Sequence, residues 1–112
     1  MKISLIAILI IGLFSCSKQQ DKNTSVDCSG PAKSFATDVQ PVIQSTCNDD
    51  SGCHGAGSNN GPGELLNYSK IFTARSSIRS AIASGRMPLN GTLTAAHKNA
   101  ILCWIDNGAQ NN

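Results

Sequence analysis

The sequence is short of several features, and each shortage excludes a class of protein. No stretch alternates apolar and polar residues for long enough to indicate a half-buried β-strand. Nine Lys and Arg against seven Asp and Glu leave no basic patch, so nothing favours nucleic-acid binding. The N-terminal apolar run, residues 3–14, is too short to span a bilayer comfortably. With 112 residues, one small all-α domain is expected.

The N-terminus is typical of an export signal. Residues 1–15 place Lys2 before the apolar run and end on a small residue, as removable signal peptides do. The sequence LFSC, residues 13–16, resembles the lipobox of bacterial lipoproteins. This resemblance implies cleavage before Cys16, a lipid on that cysteine, and export to the periplasm or cell surface, with the lipid as the only membrane anchor. A plain signal peptide and an uncleaved N-terminal helix are the alternatives.

The exported chain is predicted to have a tether and a small domain. Residues 16–33 are polar and rich in Ser, Gln, Lys and Asp, which favours a tether, and the domain then covers residues 34–112. Domains this small commonly depend on a disulfide, a metal or another cross-link. Outside the cytoplasm, the thiols that remain after lipidation will usually not stay free. They are Cys28, Cys47, Cys53 and Cys103.

The first half of the domain is predicted to be one helix and one long loop. Apolar residues at helical spacing predict a helix over residues 35–46 that runs directly into Cys47. Thr37 or Asp38 is expected to cap it. Residues 49–64 are rich in glycine, which predicts a loop without regular structure.

The second half is predicted to be helical as well. Residues 65–84 carry apolar side chains at mixed spacings of three and four, which predicts two short helices with a break at residues 73–77. Gly85 is placed to end the second of them. A last helix is expected to start at the cap Thr94 and to stop at Gly108. The fold class is therefore all-α, with three to five short helices.

The pair Cys53-His54 is the motif that predicts a cofactor. A thiol followed directly by an imidazole is the pattern of covalent haem attachment, in which the imidazole coordinates the iron. Cys47 would supply a second thioether, although five residues separate it from Cys53 where two are usual. Met87 lies in a loop before Pro88, and its thioether is a suitable second ligand for the iron.

Residues 35–112 resemble a small class I cytochrome c domain of the type found in bacterial lipoproteins. The resemblance is carried, in this order, by VQPVIQSTC followed by GCHG, by SGRMP, and by ILCWIDNGAQNN. It implies one covalent haem c, with thioethers to Cys47 and Cys53, His54 as the proximal iron ligand and Met87 as the distal one. It also implies electron transfer between redox partner proteins, with no open iron position and hence no enzymatic activity.

The resemblance has two further structural implications. The first and last helices should cross, which places Trp104 near Val39 and Ile43. Once Cys47 and Cys53 are assigned to the haem, Cys28 and Cys103 remain and are expected to form a disulfide. The rival assignment pairs Cys47 with Cys103 and leaves the haem attached through Cys53 alone.

Two other classes of protein fit the same residues. A tetrahedral zinc site could use Cys47, Cys53 and His54, with Cys103 or His97 as the fourth ligand. A small helical scaffold or binding lipoprotein could instead use the four cysteines in two disulfides. In the haem interpretation, His97 is expected to face solvent and would become a ligand only if Met87 were not one.

The neighbouring carboxylates Asp49 and Asp50 suggest calcium at first sight. The stretch lacks the regular acidic spacing and the terminal Glu of an EF-hand loop. Both side chains are therefore expected to be solvated.

Overall fold

A computed structural model describes residues 26–112 of the chain. The predicted signal peptide, the predicted lipidation site Cys16 and the predicted tether up to residue 25 lie outside the described residues. Over residues 26–112 the protein is all-α, with no strand. No helix in this range combines the length and the hydrophobicity needed to cross a membrane. The elements are a π-helical segment, Phe35–Val39, followed by α1, Gln40–Thr46, α2, Tyr68–Ala83, and α3, Ala95–Asp106.

The π-helical segment continues into α1 without a break, so the two together span the predicted first helix and end at Cys47. Its cap is Ser34, which corrects the expectation of Thr37 or Asp38. The Ser34 hydroxyl accepts a hydrogen bond from the Thr37 backbone N–H, while Asp38 Oδ2 accepts one from the Ser34 N–H at 2.8 Å. The two bonds are reciprocal, as in a capping box, and fix where the helix begins.

Helix α2 is one continuous helix, and the predicted break at residues 73–77 is wrong. Its buried face is formed by Ile71, Ala74, Ile78 and Ile82, at spacings of three and four. The small Ala74 side chain maintains this face through the otherwise polar stretch, so the helix packs on the core without interruption. Helix α3 has the predicted boundaries: the Thr94 hydroxyl caps its first turn.

The core is built around four aromatic side chains. Trp104 of α3 is only 1% exposed and lies 5.5 Å, ring centroid to centroid, from Phe35. Tyr68 of α2 meets Phe35 edge to face at 5.1 Å, and Phe72 packs beside Tyr68. Val39 and Ile43 belong to the same buried cluster as Trp104. The start of α2, the end of α3 and the first helix are therefore held together by these rings.

The C-terminal residues close this core. Trp104 Nε1 donates to the Gln110 carbonyl at 2.8 Å, and the Tyr68 hydroxyl donates to the Ala109 carbonyl at 2.9 Å. The Phe35 N–H donates to Asn112 Oδ1 at 2.8 Å. The polar ends of the buried aromatic rings are thus satisfied, as burial requires.

A disulfide joins Cys28 to Cys103, the pair left over by the haem assignment. The two cysteines are 75 positions apart in sequence, and Cys103 is buried in α3. Val26 packs against the core as well. Residues 26–33, which the sequence assigns to the tether, are consequently fastened to the domain before the first helix begins.

Candidate cofactor site

A cavity of about 970 Å³ opens between three parts of the chain. The loop after α1 contributes Cys47, Cys53 and His54. The second half of α2 contributes an apolar wall that includes Ile78, Ala81 and Ile82, and the segment after α2 contributes residues 86–90, including Met87. The four residues assigned to the haem by sequence therefore line one cavity.

His54 is held in one orientation on the cavity wall. Its side chain is buried, and Nδ1 lies 2.9 Å from the carbonyl oxygen of Gly63. Because a carbonyl can only accept, Nδ1 carries a proton, and the tautomer of the ring that binds a metal in this orientation has its lone pair on Nε2. A carbonyl partner for the other ring nitrogen is the usual support of a metal-binding histidine.

The backbone of His54 is fixed on both sides. Its N–H donates to the carbonyl oxygen of Cys47 at 2.9 Å, and its carbonyl accepts from the Leu65 N–H at 2.8 Å. In a C-x-x-C-H motif the histidine follows the first cysteine by four residues, so a helical turn would make the same N–H to C=O bond. Here residues 48–52 loop out, and the bond between the ends of the motif remains.

The looped-out residues have a defined shape. Asp50 Oδ1 accepts from the N–H groups of Gly52 and Cys53, at 2.7 and 3.1 Å. The Asp50 carbonyl accepts from the N–H groups of Cys53 and Gly55, at 3.2 and 2.8 Å. Asp49 is exposed, like Asp50. The expectation that Asp50 is merely solvated is therefore incomplete, since its carboxylate also organises the loop.

The loop beyond His54 is tied back to the motif. The buried Ser58 hydroxyl donates to the Cys53 carbonyl at 2.5 Å, and Asn60 Nδ2 donates to the Gly52 carbonyl at 2.7 Å. Glu64 accepts from the Gly57 N–H at 2.6 Å and forms an ion pair with Lys70 of α2. These two partners hold the pKa of the Glu64 carboxyl below its usual range, with the Lys70 hydrogen bond as the larger cause.

Within the described residues, neither Cys47 nor Cys53 forms a disulfide. Cys53 is exposed, whereas Cys47 is half-buried and packs against the core cluster. The pKa of the Cys47 thiol is raised to about 11, mainly by burial and also by the negative charge of the nearby Cys53 and Asp49. At neutral pH Cys47 is therefore a neutral thiol at the edge of the cavity.

Met87 is positioned by the end of α2. Gly85 has a φ of 74°, the left-handed conformation that favours glycine, and ends the helix as predicted. The chain then turns back, and the Met87 N–H donates to the Ala81 carbonyl at 3.1 Å. The half-buried Met87 side chain consequently lies at the cavity beside the last turn of α2.

The structure does not assemble the residues of the zinc alternative. Cys103 is already bonded to Cys28, and His97 is exposed at the start of α3. Between residues 26 and 112, no three His, Cys, Asp or Glu side chains are grouped so that they could share one metal ion. A single ion held only by such side chains does not fit this arrangement.

Sequence reasoning missed the residues that support the site. The partner of His54 is the backbone carbonyl of Gly63, and a backbone group leaves no side-chain signal in a sequence. Asp50 has a recognisable signal, because Asp followed two residues later by Gly favours a side-chain to backbone turn.

Comparisons with family models, with curated proteins and with solved structures gave no match to this chain.

Proposed function

We propose that the protein is an electron carrier with one covalently attached haem c. Cys47 and Cys53 would form the thioethers, His54 would be the proximal iron ligand and Met87 the distal one. The observation that carries the proposal is that Cys47, Cys53, His54 and Met87 all line the same cavity. Met87 is the only methionine between residues 26 and 112, and the His54 ring is held in one orientation.

The residues at the cavity fit a haem group. The volume of about 970 Å³ lies at the upper end of the roughly 300–1,000 Å³ typical of cofactor sites. The wall formed by Ile78, Ala81 and Ile82 suits an apolar macrocycle, and the free Nε2 of His54 suits an iron ion. Two thiols outside any disulfide in the described part of the chain suit thioether attachment.

The chemistry that a bound haem supplies is the one-electron oxidation and reduction of its iron. The chain's own residues set the conditions for it. Nε2 of His54 and the sulfur of Met87 would both bind the iron, and with two protein ligands in place an enzymatic role is unexpected. The apolar α2 wall would exclude water from one side, while the exposed Cys53 and Leu89 mark an accessible edge for redox partner proteins.

The location of the protein is part of the proposal. Cleavage before Cys16 and its lipidation would place the domain outside the cytoplasm, where haem c is attached and where the Cys28–Cys103 disulfide is stable. Partition into a detergent phase, lost in a Cys16→Ala variant, tests the lipid anchor. A protein that is exported but stays in the aqueous phase would contradict it.

Expression of the full chain in a host that attaches haem c tests the function. We expect a coloured protein whose reduced form has a sharp c-type absorption band, and a peptide of residues 45–57 that carries the mass of haem. The matched control is a variant with Cys47 and Cys53 both changed to Ala, which should be colourless. A colourless wild-type protein with Cys47 bonded to Cys53 would refute the proposal and favour the scaffold with two disulfides.

A further inference from the structure

We propose that Asp50 is the positioning residue that lets the long Cys47–Cys53 spacing serve as a haem-attachment motif. The inference rests on the proposed function, but it concerns a residue to which the haem interpretation gives no role. Asp50 is exposed, and its importance comes from the backbone groups that it binds rather than from burial.

Asp50 is the centre of the hydrogen bonds in the looped-out segment. Its carboxylate accepts from the Gly52 and Cys53 N–H groups, and its carbonyl accepts from Cys53 and Gly55. The Cys53 N–H is thus shared between Oδ1 and the backbone carbonyl oxygen of Asp50. Asp50 therefore fixes the backbone immediately before and after His54.

The segment has little room to adopt another shape. A Cβ atom on Gly55 would lie 2.7 Å from the Asp50 carbonyl oxygen and 2.9 Å from that of Asn48. The backbone at Gly55 is therefore in close contact with the backbone of residues 48–50. The Asn48 side chain also donates to the Leu65 carbonyl at 3.1 Å. The residues between the two cysteines consequently form a compact unit, and Asp49, Asp50 and Gly52 line the cavity beside them.

Attachment chemistry explains why this shape matters. In each thioether-forming step the thiol adds across a vinyl C=C bond: a C–S bond forms, the π bond breaks, and the thiol proton ends on the terminal carbon. No oxidant is needed. Both vinyl groups belong to one rigid ring, so Cys47 and Cys53 must be held at a fixed separation beside His54. A five-residue segment without a fixed conformation would not hold the two thiols at that separation.

Three variants of the exported full-length protein test the proposal. In Asp50→Ala both carboxylate hydrogen bonds are lost, and the fraction of chains with two thioethers should fall roughly tenfold. Asp50→Asn keeps Oδ1 as an acceptor and should restore that fraction. Ser51→Ala, at an exposed residue of the same segment that does not line the cavity, should leave it unchanged. Mass spectrometry of peptide 45–57 counts the thioethers in each case.

The outcomes separate this inference from the proposed function. Two thioethers in the wild type and equally in Asp50→Ala would overturn the role of Asp50 and leave the electron carrier standing. A single thioether in the wild type, at Cys53 alone, would likewise overturn the role of Asp50 and leave the electron carrier standing. A wild type without haem would refute both.

A second measurement covers the case in which Asp50→Ala fails to fold. Amide hydrogen exchange of the wild-type chain before haem attachment should show the Gly52, Cys53 and Gly55 N–H groups protected, because Asp50 binds all three. Exchange at the rate of an open loop would overturn the proposal.

Discussion

The backbone N–H of His54 donates to the carbonyl oxygen of Cys47 at 2.9 Å, although six residues lie between the two. This bond closes the Cys-His motif as one helical turn would close a motif with two residues between its cysteines. It gives the unusual spacing a structural explanation, because the added residues leave the ends of the motif in bonded contact.

Replacing His54 should prevent stable haem binding. In His54→Gln the imidazole that faces the cavity is absent, and the yield of haem protein should fall at least about tenfold, since loss of even a supporting residue of a metal ligand has that effect. The visible absorbance per milligram of exported protein measures it. His97→Gln is the matched control, because His97 is exposed on α3 and should leave the yield unchanged. A full yield in His54→Gln would contradict the assigned role.

Replacing Met87 should change the reduction potential more than the yield. In Met87→His the haem should stay attached, while the potential should fall because a thioether ligand raises it relative to a second imidazole. Potentiometric titration of the purified protein gives the difference. An unchanged potential would show that Met87 does not coordinate the iron.

A side chain at residue 55 should disrupt the site. In Gly55→Ala the added Cβ would meet two backbone carbonyl oxygens closer than 3.0 Å, and neither can move without opening the loop. We expect a loss of about 1–3 kcal/mol in the free energy of unfolding, in the range for overpacking, and fewer chains with haem. Gly30→Ala, where a Cβ meets nothing within 4 Å, is the control. Equal stability of the two variants would contradict the close approach.

The Cys47 thiol should react slowly until the pH is high. Only the thiolate is nucleophilic, and burial raises the pKa of Cys47 to about 11, so in the folded chain without haem the rate of alkylation should rise tenfold per pH unit from pH 7 towards 11. In urea the same thiol should titrate near its ordinary value of about 8.5. Mass spectrometry of the alkylated peptides gives both rates. A plateau below pH 9 in the folded chain would disprove the shift.

Loss of the disulfide should destabilise the domain without removing the haem site. A Cys28→Ser, Cys103→Ser double variant loses a cross-link between residues 75 positions apart and should unfold at lower denaturant concentration, by about 2–4 kcal/mol. The absorption spectrum of the folded haem protein should match the wild type. Denaturant titration and visible spectra are the two measurements, and an altered spectrum would mean that the disulfide also shapes the site.

The sequence predicted the start of α3 and the end of α2 correctly, whereas the cap of the first helix and the interior of α2 were predicted wrongly. Thr94 caps α3 and Gly85 ends α2 because hydroxyl caps and left-handed glycines act locally. The predicted break inside α2 failed because residues 73–77 look polar in isolation. Burial of Ile71 and Ile78 on either side of the small Ala74 keeps the helix continuous, and that packing is tertiary.

The residues of the candidate site also divide into those that the sequence predicts and those that only the fold reveals. Cys47, Cys53, His54 and Met87 could be selected from residue type and order, and all four line one cavity. The partners that orient them could not, because most are backbone carbonyls brought close by folding. Asp50 lies between these cases, since its turn is local but the Gly55 N–H that it also binds belongs to the other side of the motif.

The disulfide between Cys28 and Cys103 also determines how mechanical load would reach the domain. A pull on the polypeptide before residue 28 would pass through the disulfide into the buried last turn of α3, next to Trp104. The loop bearing His54 and the turn bearing Met87 lie outside that path. With the proposed lipid anchor at Cys16, force from the membrane would therefore leave the backbone at His54 and Met87 unstrained.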